Sequence, residues 1–181
     1  MSIMIDVDST LNPFYRGLYK ELLKINPKLK PPMYWDEWGF YKRYNITSKQ
    51  FYKTVSLLHN NIEEKPFFFA RDLTQLLMFF GYEVIICSHR NKDINIQKEL
   101  SSWLNKYDIS YHKVILTDKK WELFEKFDVT LVIDDSPKVL DKAEEYGINY
   151  TGIKYPWNKK FHNKLEKNLS GIYWKVLLGN I

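Results

Sequence analysis

The chain has 181 residues, 45 % of them hydrophobic and 27 % charged, which suits one globular domain with room for an inserted subdomain. A single cysteine excludes an internal disulfide, and the most apolar stretch, 67–80, carries Arg71, Asp72 and Gln75, which excludes a membrane span of ~20 apolar residues. No signal-peptide pattern opens the sequence, so a soluble cytoplasmic protein is expected. The net charge of +5 and pI near 9.0 point to anionic partners, although AT-rich codon usage, with its surplus of Lys, Asn, Ile, Tyr and Phe, explains the charge equally well.

Ile3-Met4-Ile5 reads as a short buried strand that runs into Asp6-Val7-Asp8-Ser9-Thr10. Strand side chains alternate, so Asp6 and Asp8 start on the same side, where two poorly solvated carboxylates repel. A divalent cation or a reacting phosphate would relieve that cost. Tyr15 to Ile25 has helical spacing, and Asn26 to Pro32 is a proline-rich loop. Thr47 and Ser48 are suited to cap a helix that runs to His59. Pro66 fits the first turn of the next helix, which Gly81 ends.

From residue 82 the pattern alternates. Glu83–Cys87, Lys113–Leu116, Thr130–Ile133 and Asn149–Ile153 read as strands, and 94–107, 119–127 and 137–146 read as helices. Gly147 stops the last of these helices. This rhythm predicts a parallel sheet with helices on both faces.

Ligands of open parallel sheets bind beyond the carboxyl ends of the strands. There the chain places Asp6 and Asp8, then Ser88-His89-Arg90-Asn91, then Lys119 and Lys120, then Asp134-Asp135-Ser136-Pro137. Each piece has an ordinary reading as turn, cap or solvated surface, with Ser136 as N-cap and Pro137 at N1 of a helix. Their joint order along one rim is what points to chemistry. Cysteine-phosphatase chemistry is excluded, because Asp93 stands where an arginine would have to follow Cys87. The four histidines make no zinc-like spacing.

The series Asp6-x-Asp8-x-Thr10, Ser88, Lys120 and Asp134-Asp135 resembles the haloacid-dehalogenase (HAD) superfamily of phosphohydrolases, over a span from Ile3 to Ile153. More narrowly, Ile133-Asp134-Asp135-Ser136-Pro137, Phe14 soon after the first motif, and the tail Tyr155-Pro156-Trp157-Asn158 with Trp174 resemble the 5′(3′)-deoxyribonucleotidase branch. His89-Arg90 departs from that branch, which has a smaller residue and often proline there.

The resemblance implies an α/β fold, an HAD-like Rossmannoid parallel sheet with helices on both faces and a small helical cap inserted after the first strand. The core would be 1–12 and 66–181, and the insert 13–65. It implies a phosphomonoesterase in which Asp6 is the nucleophile and Asp8 the general acid and base. Mg²⁺ would be held by Asp6, Asp8 through its carbonyl, and one or both of Asp134 and Asp135. Ser88 and a lysine, Lys120 in preference to Lys119, would bind phosphate, and Arg90 would either do the same or lie on the surface. Phe14 would stack on a base, followed in order by Trp35, Trp38 and Phe40, whose competing reading is the insert's own core.

The expected substrate is a (deoxy)nucleoside monophosphate, a small molecule enclosed under the cap and away from any membrane. A polynucleotide 3′-end, another small phosphate ester, and a non-enzymatic binding protein are the alternatives. The sequence leaves the oligomeric state open, and a homodimer is compatible with it.

Overall fold

The computed structural model describes residues 1–90 and 93–180; Asn91, at the end of the polar series around Arg90, lies outside them. Five parallel strands, β1 (Ser2–Ile5), β2 (Glu83–Ser88), β3 (Lys113–Leu116), β4 (Val129–Ile133) and β5 (Asn149–Thr151), lie in the order β3-β2-β1-β4-β5. Strand alternation divides the apolar residues between the two faces. Ile3, Ile5, Val84, Ile86, Leu131 and Ile133 pack under α3 (Ala70–Phe79), α4 (Ile94–Lys106) and α6 (Leu169–Leu177). Met4, Cys87 and Val132 face the opposite way, against Val139, Leu140 and Ala143 of α5 (Pro137–Glu145). A sheet covered on both faces needs apolar residues at nearly every strand position, which is why β1, β2 and β4 read as continuous apolar runs. Among the described residues no helix is long and apolar enough to cross a membrane.

The insert contributes α1 (Phe14–Ile25), two 3₁₀ turns and α2 (Ser48–Asn60). Thr47 and Gln50 close a reciprocal capping box at the start of α2: Thr47 Oγ1 accepts from Gln50 N at 3.2 Å and Gln50 Oε1 accepts from Thr47 N at 2.9 Å. The insert has its own apolar centre of Phe14, Leu18, Leu22, Trp35, Phe40, Tyr41 and Phe51, which Trp157 of the main domain joins.

Three elements differ from the sequence expectation. Helix α3 begins at Ala70 instead of Pro66, because Phe67 N is donated to the Leu11 carbonyl (2.8 Å) and Phe69, at φ 74°, is not helical. Residues 119–127 form only a 3₁₀ turn, Lys120–Leu123. The chain has to turn back into β4 within this short span, and it does so with i to i+3 bonds such as Glu122 N to Lys119 O, ending on left-handed Asp128 at φ 47°. Helix α6 was not expected, although Leu169, Ile172 and Val176 follow an i, i+3, i+7 pattern and bury against the first face.

The strand order reverses between β1 and β4, the place where doubly wound sheets open a crevice. Ile5 pairs with Ile133, and Asp6 N still donates to the Ile133 carbonyl (2.9 Å), so Asp6 and Asp134 leave the sheet side by side. The ladder extends to β5 through Asp134 N and the Thr151 carbonyl, at 3.1 Å. This close approach depends on Gly152, where any β-carbon would collide with the Asp134 carbonyl oxygen. Gly152→Ala is therefore expected to destabilise the protein by about 1–3 kcal/mol, read from the urea midpoint. An unchanged midpoint would show that the β4–β5 contact can relax freely.

Candidate active site

Asp6, Asp134 and Asp135 each bring a carboxylate oxygen within 4.8 Å of the others, and all three residues are buried. Lys120 Nζ sits between two of them, 2.5 Å from Asp6 Oδ1 and 2.7 Å from Asp134 Oδ2. Asp134 is fixed further by the Ser136 backbone N–H, which donates to its Oδ1 at 2.8 Å. That bond changes the expected capping: Ser136 occupies the N-cap position of α5 but its own side chain makes no cap. Asp135 accepts at Oδ2 from the Trp157 indole (2.9 Å), and its carbonyl accepts from Asn158 Nδ2 (3.1 Å).

The electrostatics follow from burial. Asp6 is pushed up to about 7 by loss of solvent, Lys120 pulling it down and the Asp134 and Asp8 charges pushing it further up. Asp135 is raised well above the carboxylate range by burial and by repulsion from Asp6 and Asp134. Burial acts against the Lys120 ammonium, yet Asp134 and Asp6 outweigh it and hold the group well above its usual value. Two of the three carboxylates thus share one ammonium, with the third beside them. A hard cation with oxygen ligands suits such a donor set, because it would offset the repulsion that remains.

Asp8 lies at the edge of this group, in a different environment. Arg90 grips it with two bonds, Nη2 to Oδ1 at 2.6 Å and Nε to Oδ2 at 3.1 Å. His59, in the last turn of α2, approaches Oδ2 at 3.2 Å, and Ser88 Oγ lies 3.4 Å from the same oxygen. Burial alone would raise Asp8, but Arg90 and His59 overcome it and hold the carboxyl well below the usual range. Ser9, between Asp8 and Thr10, has φ 67°, a costly conformation outside glycine, and its carbonyl accepts from the Tyr155 hydroxyl at 2.8 Å. Among the described residues two buried polar side-chain atoms lack a hydrogen-bond partner, Thr10 Oγ1 and Arg90 Nη1, both on the loops that frame this rim.

The structure brings together Asp6, Asp8, Ser88, Arg90, Lys120, Asp134 and Asp135. Arg90 is buried, so its surface reading is corrected: the charge is committed to Asp8. Lys119 points away into solvent and pairs with Glu122 at 3.0 Å. Trp35 and Phe40 also require correction. They are fully buried, stacked on each other at 3.9 Å in the insert's interior, and have no surface to offer a base. Trp38 is 44 % exposed, edge-on to Trp157 at 6.3 Å. Phe14 is buried with its ring 5.2 Å from His59.

His59 and Trp157 were missed as site neighbours. His59 has no local sequence signature and reaches the site only through tertiary packing, whereas Trp157 stood in the tail Tyr155-Pro156-Trp157-Asn158 without any link to the acids. Cys87 is buried near Lys120, and burial pushes its thiol up to about 12, which makes it an unreactive core residue.

No family model matches the sequence, and no curated protein matches it. Solved structures do resemble it. A predicted phosphoglycolate phosphatase from Haemophilus somnus 129PT is 14 % identical with a TM-score of 0.66, over 99 % of this chain and 97 % of that one. An HAD-superfamily hydrolase from Ehrlichia chaffeensis is 16 % identical with a TM-score of 0.57, over 98 % and 96 %. D,D-heptose 1,7-bisphosphate phosphatase from Burkholderia thailandensis is 11 % identical with a TM-score of 0.59, over 97 % of each chain. At these identities the likeness shows a shared fold, the HAD-like Rossmannoid sheet with its helices.

Removing the Lys120 charge should leave two buried carboxylates facing each other. Lys120→Met is expected to lower stability in EDTA by about 3–5 kcal/mol, with part of the loss recovered in excess Mg²⁺, both read by urea unfolding.

Proposed function

We propose that the protein is a magnesium-dependent phosphomonoesterase acting on (deoxy)nucleoside monophosphates through an aspartyl-phosphate. One observation carries the reading: Lys120 Nζ bridges Asp6 and Asp134 beside Asp135, at the carboxyl ends of the two central strands. Asp6, Asp134 and Asp135 would hold the ion, which when bound supplies charge neutralisation for carboxylates and phosphate alike.

Asp6 attacks phosphorus, the new carboxylate–phosphorus bond forming as the ester P–O bond breaks. Lys120 and the Ser88 hydroxyl stabilise charge on the transferring group. Asp8 gives its proton to the departing alkoxide, then takes one from the water that cleaves the acyl phosphate and releases inorganic phosphate. In the arrangement described, Arg90 and His59 favour ionised Asp8, the form that accepts a proton. To donate one it must first take up a proton from solvent or from the substrate monoanion, which an incoming phosphate favours by competing for Arg90, whose Nη1 is unpartnered among the described residues.

The nucleotide assignment rests on the resemblance of the fourth motif and of Phe14 to the deoxyribonucleotidase branch. Another small phosphate ester is the second reading, favoured by the fold's likeness to structures named for phosphoglycolate and heptose bisphosphate.

A panel of nucleoside monophosphates, sugar phosphates, phosphoglycolate and 3′-phosphorylated oligonucleotides, assayed with Mg²⁺ and with EDTA, tests both. The expected result is magnesium-dependent release of phosphate, fastest from deoxynucleoside monophosphates, with Asp6→Asn at background and unchanged in circular dichroism. Equal rates on all small esters would refute the nucleotide assignment. Rates on oligonucleotides that dominate at low salt and fall steeply with ionic strength would favour a polynucleotide end. Turnover that survives EDTA and Asp6→Asn would overturn the mechanism.

A further inference from the structure

The segment Tyr155-Pro156-Trp157-Asn158 has no role in the chemistry above, yet two of its side chains, Trp157 and Asn158, converge on one acid. Trp157 is buried, and its single polar atom, the indole N–H, is donated to Asp135 Oδ2 at 2.9 Å. Asn158 supports the same residue from the other side, its amide donating to the Asp135 carbonyl (3.1 Å) and to the Ile153 carbonyl (2.9 Å), while its Oδ1 accepts from Tyr155 N (2.8 Å). The indole has little freedom. It stacks on Tyr155 at 4.3 Å with 7° between planes, and Tyr15 and Trp38 of the insert meet it edge-on at 6.4 and 6.3 Å. A buried indole needs only one acceptor, and here that acceptor is a carboxylate of the acid cluster.

We propose that Trp157 is a positioning residue that fixes the orientation of Asp135 for a divalent cation, with the insert's aromatic residues holding it in place. The inference rests on the metal-dependent reading above and concerns a residue that would touch neither metal nor substrate. One lone pair of Asp135 is spent on the indole, the carboxylate plane is set, and its remaining lone pairs stay free. Bonds from outside the ligand shell of this kind are typically worth about 10–100-fold in metal affinity.

The test uses Mn²⁺ alone as probe, free ion being counted by electron paramagnetic resonance with no turnover involved. Trp157→Phe keeps the ring and removes the donor. Its Mn²⁺ affinity is expected to fall about 10–100-fold, and its kcat to return near wild type when metal is saturating. Trp103→Phe is the control: Trp103 is equally buried and donates to the Glu64 carbonyl at 2.8 Å, away from the acids, and its loss should leave Mn²⁺ affinity unchanged. If Trp157→Phe does not fold, the wild-type protein gives a second readout, because the Trp157 Nε1–H resonance should shift during a Mg²⁺ titration while that of Trp103 stays fixed.

Wild-type affinity in Trp157→Phe, or a Trp157 resonance insensitive to Mg²⁺, overturns the inference and leaves the phosphatase reading standing. A wild-type protein that binds no Mn²⁺ overturns both.

Discussion

The ammonium of Lys120, buried between Asp6 and Asp134, is the constraint on which the arrangement of the rim depends. Side-by-side exit of β1 and β4 brings two carboxylates into a solvent-poor crevice, where neither can stay ionised cheaply. One lysine offsets part of the cost and does so from a segment that makes no α-helix. The loop from β3 to β4 has to lower Lys120 into the crevice and then turn at left-handed Asp128, and a tight 3₁₀ turn achieves both in few residues. With Asp135 added, three carboxyl groups face one ammonium in a small dry volume, and burial pushes Asp6 and Asp135 toward their neutral forms. Charge balance, more than any single bond, is the argument for a cation here.

Asp6 and Asp8 begin as near neighbours in sequence and end in opposite environments. Asp6 shares Lys120 with Asp134 and burial pushes it toward neutrality, whereas Arg90 and His59 hold Asp8 ionised against its burial. Without a cation these directions are the reverse of what a nucleophile at Asp6 and a proton donor at Asp8 require, so the proposed chemistry depends on a cation beside Asp6 and on a phosphate that draws Arg90 from Asp8. The separation is built by geometry: the chain leaves β1 at Asp6, and by Asp8 it has turned toward the loop after β2. Ser9 takes the left-handed conformation of that turn, and Tyr155 ties down its carbonyl.

Much of this was legible in the residues because parallel sheets bury both faces and place polar groups only at strand ends. Ile3-Met4-Ile5, Glu83–Cys87, Lys113–Leu116, Thr130–Ile133 and the segment from Asn149 announced the five strands, and the acids that follow the first and fourth announced the crevice. Helix α6 was not foreseen, since its apolar positions lie in a segment with no strand after it to suggest a repeat of the βα rhythm. Trp35 and Phe40 could not be separated from Trp38 by sequence, because an aromatic that faces a ligand and one that faces its own core share the same spacing. Only the fold shows that two of them stack inside the insert. Arg90 was ambiguous for a related reason: a charged residue after a strand reads as surface until a buried acid is found opposite it. His59 is in the insert, far in sequence from Asp8, and no periodicity links them.

The His59 contact has a mechanical consequence. Asp8 lies in the loop after β1 and His59 in α2, so the carboxylate joins that loop to the segment inserted between β1 and β2. Separating α2 from that loop would break the contact, which the ring of Phe14 packs beside at 5.2 Å. One carboxylate is in this way a latch between the two segments as well as the partner of Arg90.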